Sequence, residues 1–140
     1  MKAVNPYINF NGNCEEAFNF YKSVFGGEFT SFQRFNEMPD DVPADMRPSE
    51  SEANKVMHVT LPLKEGYILM GSDYPEMMSD RIQLGNNFSV SIDADTENEA
   101  NKLFKELSEG GTVIMPLAKT FWESLYGMLA DKFGVQWMVS

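Results

Sequence analysis

The chain carries one histidine, His58, and one cysteine, Cys14, in 140 residues. Acid–base or nucleophilic chemistry therefore has few places to start. An unperturbed imidazole titrates near pH ~6.5, which makes His58 a candidate general base or hydrogen-bond donor. Met57, Val59 and Leu61 alternate against it along a β-type run, which puts His58 and Thr60 on the face opposite the apolar set. The sequence shows no acidic group placed to orient the ring, so a structural or solvent-facing histidine is the competing reading. Cys14 falls in the first turn of a helical stretch, where the helix dipole lowers a thiol pKa. The same spacing places it on the buried side of that helix, where a packed and inert thiol is expected. Glu15 with Glu16, and Glu97 with Glu99, look like paired acids, but near helix starts they read as capping and dipole partners on a solvated surface. Glu123, beside Trp122, is a further candidate acid or base; the alternative is a surface carboxylate on the other strand face.

Composition narrows the classes. Apolar residues make up 43% and charged residues 23%, the usage of an ordinary globular chain, which excludes disordered and low-complexity classes. At roughly 100–150 residues per domain, the length allows one domain, or two small halves sharing a core. One cysteine forms no intramolecular disulfide, and one cysteine with one histidine makes no Cys/His zinc site. Acidic residues number 21 against 11 basic ones, a formal charge of -10 that disfavours nucleic acid and anionic membrane as partners. No apolar run approaches the ~18–20 residues of a membrane span. No signal-peptide core is visible, and the expected location is cytoplasmic.

Two stretches repeat one order of events. Residues 5–29 give a short β-type run, Asn13, a helical pattern and then Gly26-Gly27; residues 87–114 give a β-type run, Thr96, a helical pattern and Gly110-Gly111. An offset of more than half the chain means two modules rather than a solenoid. Asn13-Cys14-Glu15-Glu16 and Thr96-Glu97-Asn98-Glu99 each place a cap residue ahead of a Glu at the spacing of a capping box or a close variant. The first helix is apolar at Cys14, Ala17, Phe18, Tyr21, Val24 and Phe25, the second at Ala100, Leu103, Phe104 and Leu107, so each has one side to bury. Strand signals follow at residues 28–35, 55–63 and 67–72, and again at 113–118, near 122–130 and at 135–139. The module is therefore β-α-β-β-β, twice: residues 1–73 and 87–140, joined by a linker over 74–86, in one domain spanning 1–140. Residues 36–51 carry Pro39, Pro43 and Pro48 and form a long loop, a candidate lid.

On these residues the chain resembles the vicinal oxygen chelate superfamily, the fold of glyoxalase I, bleomycin-resistance proteins and extradiol dioxygenases, and within it the PhnB-like branch. The likeness runs through Pro6-Tyr7-Ile8-Asn9-Phe10, Asn11-Gly12-Asn13-Cys14-Glu15-Glu16-Ala17, Phe20-Tyr21, Met57-His58 and Met70-Gly71-Ser72-Asp73. It is most specific at Thr120-Phe121-Trp122, Tyr126-Gly127 and Asp131-Lys132-Phe133-Gly134-Val135-Gln136-Trp137-Met138. The resemblance implies an α+β fold in which two βαβββ modules form a curved mixed sheet around a cleft, and it implies a homodimer. Members of the branch often carry a ubiquinone-pathway methyltransferase label. This sequence has no Gly-rich loop after its first strand of the kind that binds a nucleotide-like cofactor.

Active members of the superfamily hold a divalent metal in the cleft, on His, Glu or Gln from the first and fourth strands of each module. The resemblance places those positions at or beside Pro6, near Met70, at Asn87 and at Met138. Proline has no donor side chain, thioethers suit Cu(I), and Asn87 alone holds no divalent ion, so no metal or other cofactor is expected. The same positions imply an apolar, adaptable cleft lined by Met70, Met138 and Trp122. Strand parity adds Asn87, Ser89, Ser91 and Gln136 as polar groups, with Ser72 across from them. It also puts Trp122, Ser124 and Tyr126 on one strand face, where an aromatic ring would stack on a planar ligand. The expected role is binding of a small, partly apolar molecule at Met70, Ser72, Asn87, Ser89, Trp122, Tyr126, Gln136 and Met138. Two further classes stay open. One is an enzyme, metal-dependent through unusual ligands or metal-free through His58 and Glu123, with a lyase, dioxygenase or thiol-transfer reaction of the superfamily. The other is an interaction module with no ligand.

Overall fold

A computed structural model describes residues 1–122 and 124–140. The chain divides into two compact units, Met1–Gln83 and Leu84–Ser140, and each runs strand, helix, strand, strand, strand. In the first unit β1 (Tyr7–Phe10) leads into α1 (Cys14–Phe25), followed by β2 (Ser31–Arg34), β3 (Val56–Pro62) and β4 (Ile68–Asp73). Its sheet has the order β1-β4-β3-β2, with β1 parallel to β4 and the other pairs antiparallel. The second unit repeats the plan with β5 (Val90–Ile92), α2 (Glu97–Ser108), β6 (Thr112–Lys119), β7 (Leu125–Ala130) and β8 (Gln136–Val139), in the order β5-β8-β7-β6. The chain thus forms the expected α+β pair of βαβββ modules, as two four-stranded mixed sheets.

Each helix buries the side its apolar spacing marks. Cys14, Ala17, Phe18, Tyr21 and Val24 are buried on α1, and Ala100, Leu103, Phe104 and Leu107 on α2. Facing them are Phe10, Val59, Leu61 and Leu69 in the first unit, and Leu129, Trp137 and Val139 in the second. Phe18 presses so close to β4 that a Cβ on Gly71 would lie 2.6 Å from its ring. Phe104 does the same at Gly127 of β7, at 2.7 Å. Among the described residues no helix is long and apolar enough to cross a membrane.

Three sequence expectations are corrected. Asn13 makes no side-chain cap bond. The start of α1 is held instead by the buried Asp73 at the end of β4, whose Oδ1 accepts the N–H groups of Gly12 and Cys14 (2.9 and 3.0 Å) and whose Oδ2 accepts that of Val56 (2.9 Å). At α2 the local signal does hold: Thr96 Oγ1 accepts the Glu99 N–H at 3.1 Å, and the Glu99 carboxylate accepts the Asp95 N–H at 2.8 Å. The second correction concerns β3. Gln33 pairs with His58 but Arg34 pairs with Val56, so Met57 is the extra residue of a β-bulge. Val56, not Met57, takes the core position on that side of His58. The third is the run near 122–130. Thr120 donates its N–H and its hydroxyl to the Ser124 carbonyl (2.8 and 2.9 Å), which closes a turn and leaves Trp122 and Ser124 outside β7.

The long loop of the first unit is not featureless. It winds through short 3-10 turns at Ala44–Met46 and Glu50–Glu52, and Arg47 clasps it by donating to the carbonyls of Val42 (3.0 Å) and Pro39.

Candidate functional site

One face of the first sheet is covered by α1; the other, its open face, bears half-buried and exposed side chains. Register assigns the open face residue by residue, because directly paired residues share a face. Tyr7 pairs with Met70, Met70 with Thr60 and Thr60 with Ser31, a row across all four strands. The next row holds Asn9 opposite Ser72 and His58 opposite Gln33. The Met57 bulge makes this arrangement possible. It lets Val56 and Val59 both point into the core while His58, between them, points out.

His58 is engaged on both ring nitrogens. Nδ1 lies 3.3 Å from Tyr7 Oη and Nε2 lies 2.9 Å from Thr60 Oγ1. The Tyr7 and His58 rings are 5.8 Å apart, so the tyrosine lies over β4 beside Met70 to reach across to β3. Tyr7 remains 43% exposed. The orienting partners of the imidazole are therefore two hydroxyls and not an acid. Cys14, by contrast, is fully enclosed, and burial pushes its thiol pKa up, with Asp73 and Glu15 adding to the effect. It is a packing residue. Glu15 is paired with Arg34 through two bonds of 2.5 and 3.1 Å, which hold its carboxyl below the ordinary range.

The open face of the second sheet is built the same way and carries different chemistry. Ser91 pairs with Met138, Met138 with Met128 and Met128 with Met115, a row with three thioethers side by side. Tyr126 stands on β7 opposite Ala118. Gln136 pairs with Ala130, and the Ser89 hydroxyl donates to its side-chain oxygen at 3.5 Å. The face behind is fixed by the buried Trp137, whose Nε1 donates to Asp131 Oδ2 at 2.9 Å. Asp131 Oδ1 accepts the N–H groups of Phe133 and Val135 and so shapes the turn into β8.

The expected binding residues thus fall in two places. Met70 and Ser72 lie on the open face of the first sheet, together with His58. Ser89, Tyr126, Gln136 and Met138 lie with the second. Asn87 was expected on a first strand but sits in an exposed bend ahead of β5, which begins at Val90. Trp122 is an exposed turn residue, edge-on to Phe121 at 4.3 Å and 81°. Glu123 lies outside the described residues. Sequence reading missed Tyr7 as a site residue, although its alternation against Ile8 and Phe10 and a parallel pairing of the first and fourth strands point to it. It also missed Met115 and Met128.

The superfamily's metal can be tested against these donors. Register sets Tyr7 opposite Met70 and Ser91 opposite Met138, and Pro6 offers only its carbonyl, which accepts the Met70 N–H at 3.3 Å. Thioethers, a phenol and an aliphatic hydroxyl are not the set that holds a hard or borderline divalent ion. Among the described residues no three His, Cys, Asp or Glu side chains are grouped so as to hold a metal ion. These positions do not fit that metal.

Two modules of this order and pairing define the glyoxalase/bleomycin-resistance class of fold. A glyoxalase/bleomycin resistance protein/dioxygenase family enzyme from Burkholderia phytofirmans shares it at 17% identity and a TM-score of 0.58, over 96% of each chain. The chain belongs to the PhnB-like family: residues 2–140 match the family model described as 3-demethylubiquinone-9 3-methyltransferase. It is similar to the crystal structure of protein PA1353 from Pseudomonas aeruginosa (36% identity, TM-score 0.81, covering 99% of this chain and 96% of that one). It is similar also to a putative 3-demethylubiquinone-9 3-methyltransferase, PhnB protein, from Bacillus cereus (28% identity, TM-score 0.75, 98% and 97%). Among curated proteins it is 30% identical to protein YjdN of Escherichia coli, over 98% of this chain and 93% of that one.

Proposed function

We propose that the protein binds a small, partly apolar molecule, and that the open face of the first sheet is where it does so. The observation that supports this reading is the character of that face. Its register positions hold hydroxyl, amide, imidazole and thioether groups and no charged side chain, in a protein of formal charge -10. Neutral groups that donate and accept hydrogen bonds, set around a thioether and an aromatic ring, suit a small, partly apolar molecule. The methionine row and Tyr126 of the second sheet supply adaptable surface of the same kind. Association with a second copy is part of the proposal and rests on the exposed apolar residues of β6.

A second reading, acid–base catalysis at His58, is favoured by the hydroxyl partners on both of its nitrogens. The methyl transfer in the family description draws no support from the first turn. The N–H groups of Gly12 and Cys14, which at a helix start could hold a carboxylate or other anionic group of a cofactor, are taken by Asp73.

The test is a titration of the full chain with small aromatic and heterocyclic molecules, read at the His58 ring and the methionine methyl resonances. Saturable shifts at His58 and Met70 are expected, with binding weakened about tenfold by Tyr7→Ala. A panel that moves neither residue saturably overturns the reading in favour of a ligand-free module.

A further inference from the structure

Resting on that binding reading, we propose that the Tyr7–His58–Thr60 chain takes a proton from its ligand, so that the first sheet binds a weakly acidic hydroxyl compound, a phenol or an enol, as its anion. In a neutral imidazole one ring nitrogen donates and the other accepts. A phenol is a stronger acid than an aliphatic alcohol, so Tyr7 is the natural donor to Nδ1, and Nε2–H then donates to Thr60 Oγ1. This leaves the lone pairs of Tyr7 Oη, on a ring 43% exposed, to accept from a ligand hydroxyl. The ligand's O–H bond breaks and its proton goes to Tyr7 Oη, while the tyrosine's own proton passes to His58 Nδ1. Nothing else is made or broken. The products are a ligand oxyanion, hydrogen-bonded by Tyr7, and an imidazolium that still donates to Thr60.

The surroundings decide what the charge is for. The groups that face His58 are Tyr7 and Asn9 from β1, Ser31 and Gln33 from β2, Thr60 from its own strand, and Met70 and Ser72 from β4. None of these is a carboxylate and none a cation, so among the described residues of the first sheet neither an imidazolium formed here nor a ligand anion has a fixed partner of opposite charge. Each charge is costly alone and compensated by the other. Strong acids arrive already ionised and bring no proton. The match is a weakly acidic hydroxyl that reaches the site with its proton. The tyrosine ring and the Met70 thioether beside it favour a planar body on that hydroxyl.

Two probes separate this inference from the binding reading: 4-nitrophenol, whose anion is yellow, and 4-nitroanisole, its ether without the acidic proton. His58 is the chain's one histidine, so its imidazole nitrogen resonances need no assignment. Expected are yellow bound nitrophenol, about tenfold more ionised than free nitrophenol at the same pH, and a His58 ring that becomes doubly protonated on binding. Nitroanisole should bind without protonating the ring. His58→Gln, which keeps a hydrogen-bonding group but takes no proton, should bind nitrophenol only in its colourless form. If nitrophenol binds colourless to the unaltered protein, or yellow to His58→Gln, the proton transfer is wrong and the binding reading stands. If neither probe binds, both fall.

Discussion

Glu52 is a carboxylate with almost no water around it, and it holds two distant segments together. Its oxygens accept the Glu76 N–H at 2.5 Å, the Lys55 ammonium at 3.3 Å, and the Ser49 hydroxyl and N–H at 3.3 and 3.4 Å. Burial pushes its pKa up, but the Glu76 N–H, Lys55 and the Ser49 N–H together push harder, and the net shift is downward from 4.5. A carboxyl whose folded pKa is lowered stabilises most above its unfolded value. Its contribution is therefore full above about pH 4.5 and drains away as the pH falls through the lowered folded value. Glu52→Gln should destabilise the protein by about 1–3 kcal/mol at neutral pH and flatten the acid limb of a denaturant-midpoint-against-pH curve. At this scale the sequence was partly legible. Alternation placed His58 and Thr60 outward, and helix spacing marked Cys14 as buried. Tyr7 was not legible as a partner of His58, because the contact crosses an intervening strand and depends on register.

Among the elements, β3 shows why strand parity misleads. Strict alternation puts Met57, Val59 and Leu61 on one face; the bulge at Met57 replaces it with Val56, Val59 and Leu61. A bulge has no sequence mark as plain as a glycine pair, so it was invisible until pairing was known. The helices were legible almost entirely, because one-sided apolar spacing is a local property. The contact of α1 with β4 is tight enough to predict its failure. A Cβ on Gly71 would meet the Phe18 ring at 2.6 Å and the Ile8 carbonyl at 2.8 Å, and backbone on one side leaves little to yield. Gly71→Ala should cost about 1–3 kcal/mol, seen as a lower thermal midpoint. A Phe18→Leu change in the same chain should recover part of it by making room.

For the whole molecule, the repeat was readable and the assembly was not. Two helical patterns ending in glycine pairs sufficed to count the modules, but a sequence does not say what covers an open sheet. Among the described residues strand β6 ends its sheet, paired on one side with β7, and its Val113, Ile114 and Met115 are 45%, 50% and 47% exposed. An apolar strand with a free edge invites a neighbour. Sedimentation should show association that rises with concentration, and Ile114→Lys should return the mass to that of one chain; an unchanged mass would remove β6 from any interface. The two modules also differ in a way their shared outline hides. Thr96 secures the start of α2 from within its own first turn. The start of α1 is held by Asp73, at the far end of the strand that lies beside β1. One helix start is thus a local affair and the other is tied to the sheet, so Asp73→Asn should loosen β4, β3 and α1 together, whereas Thr96→Ala should be felt in α2 alone.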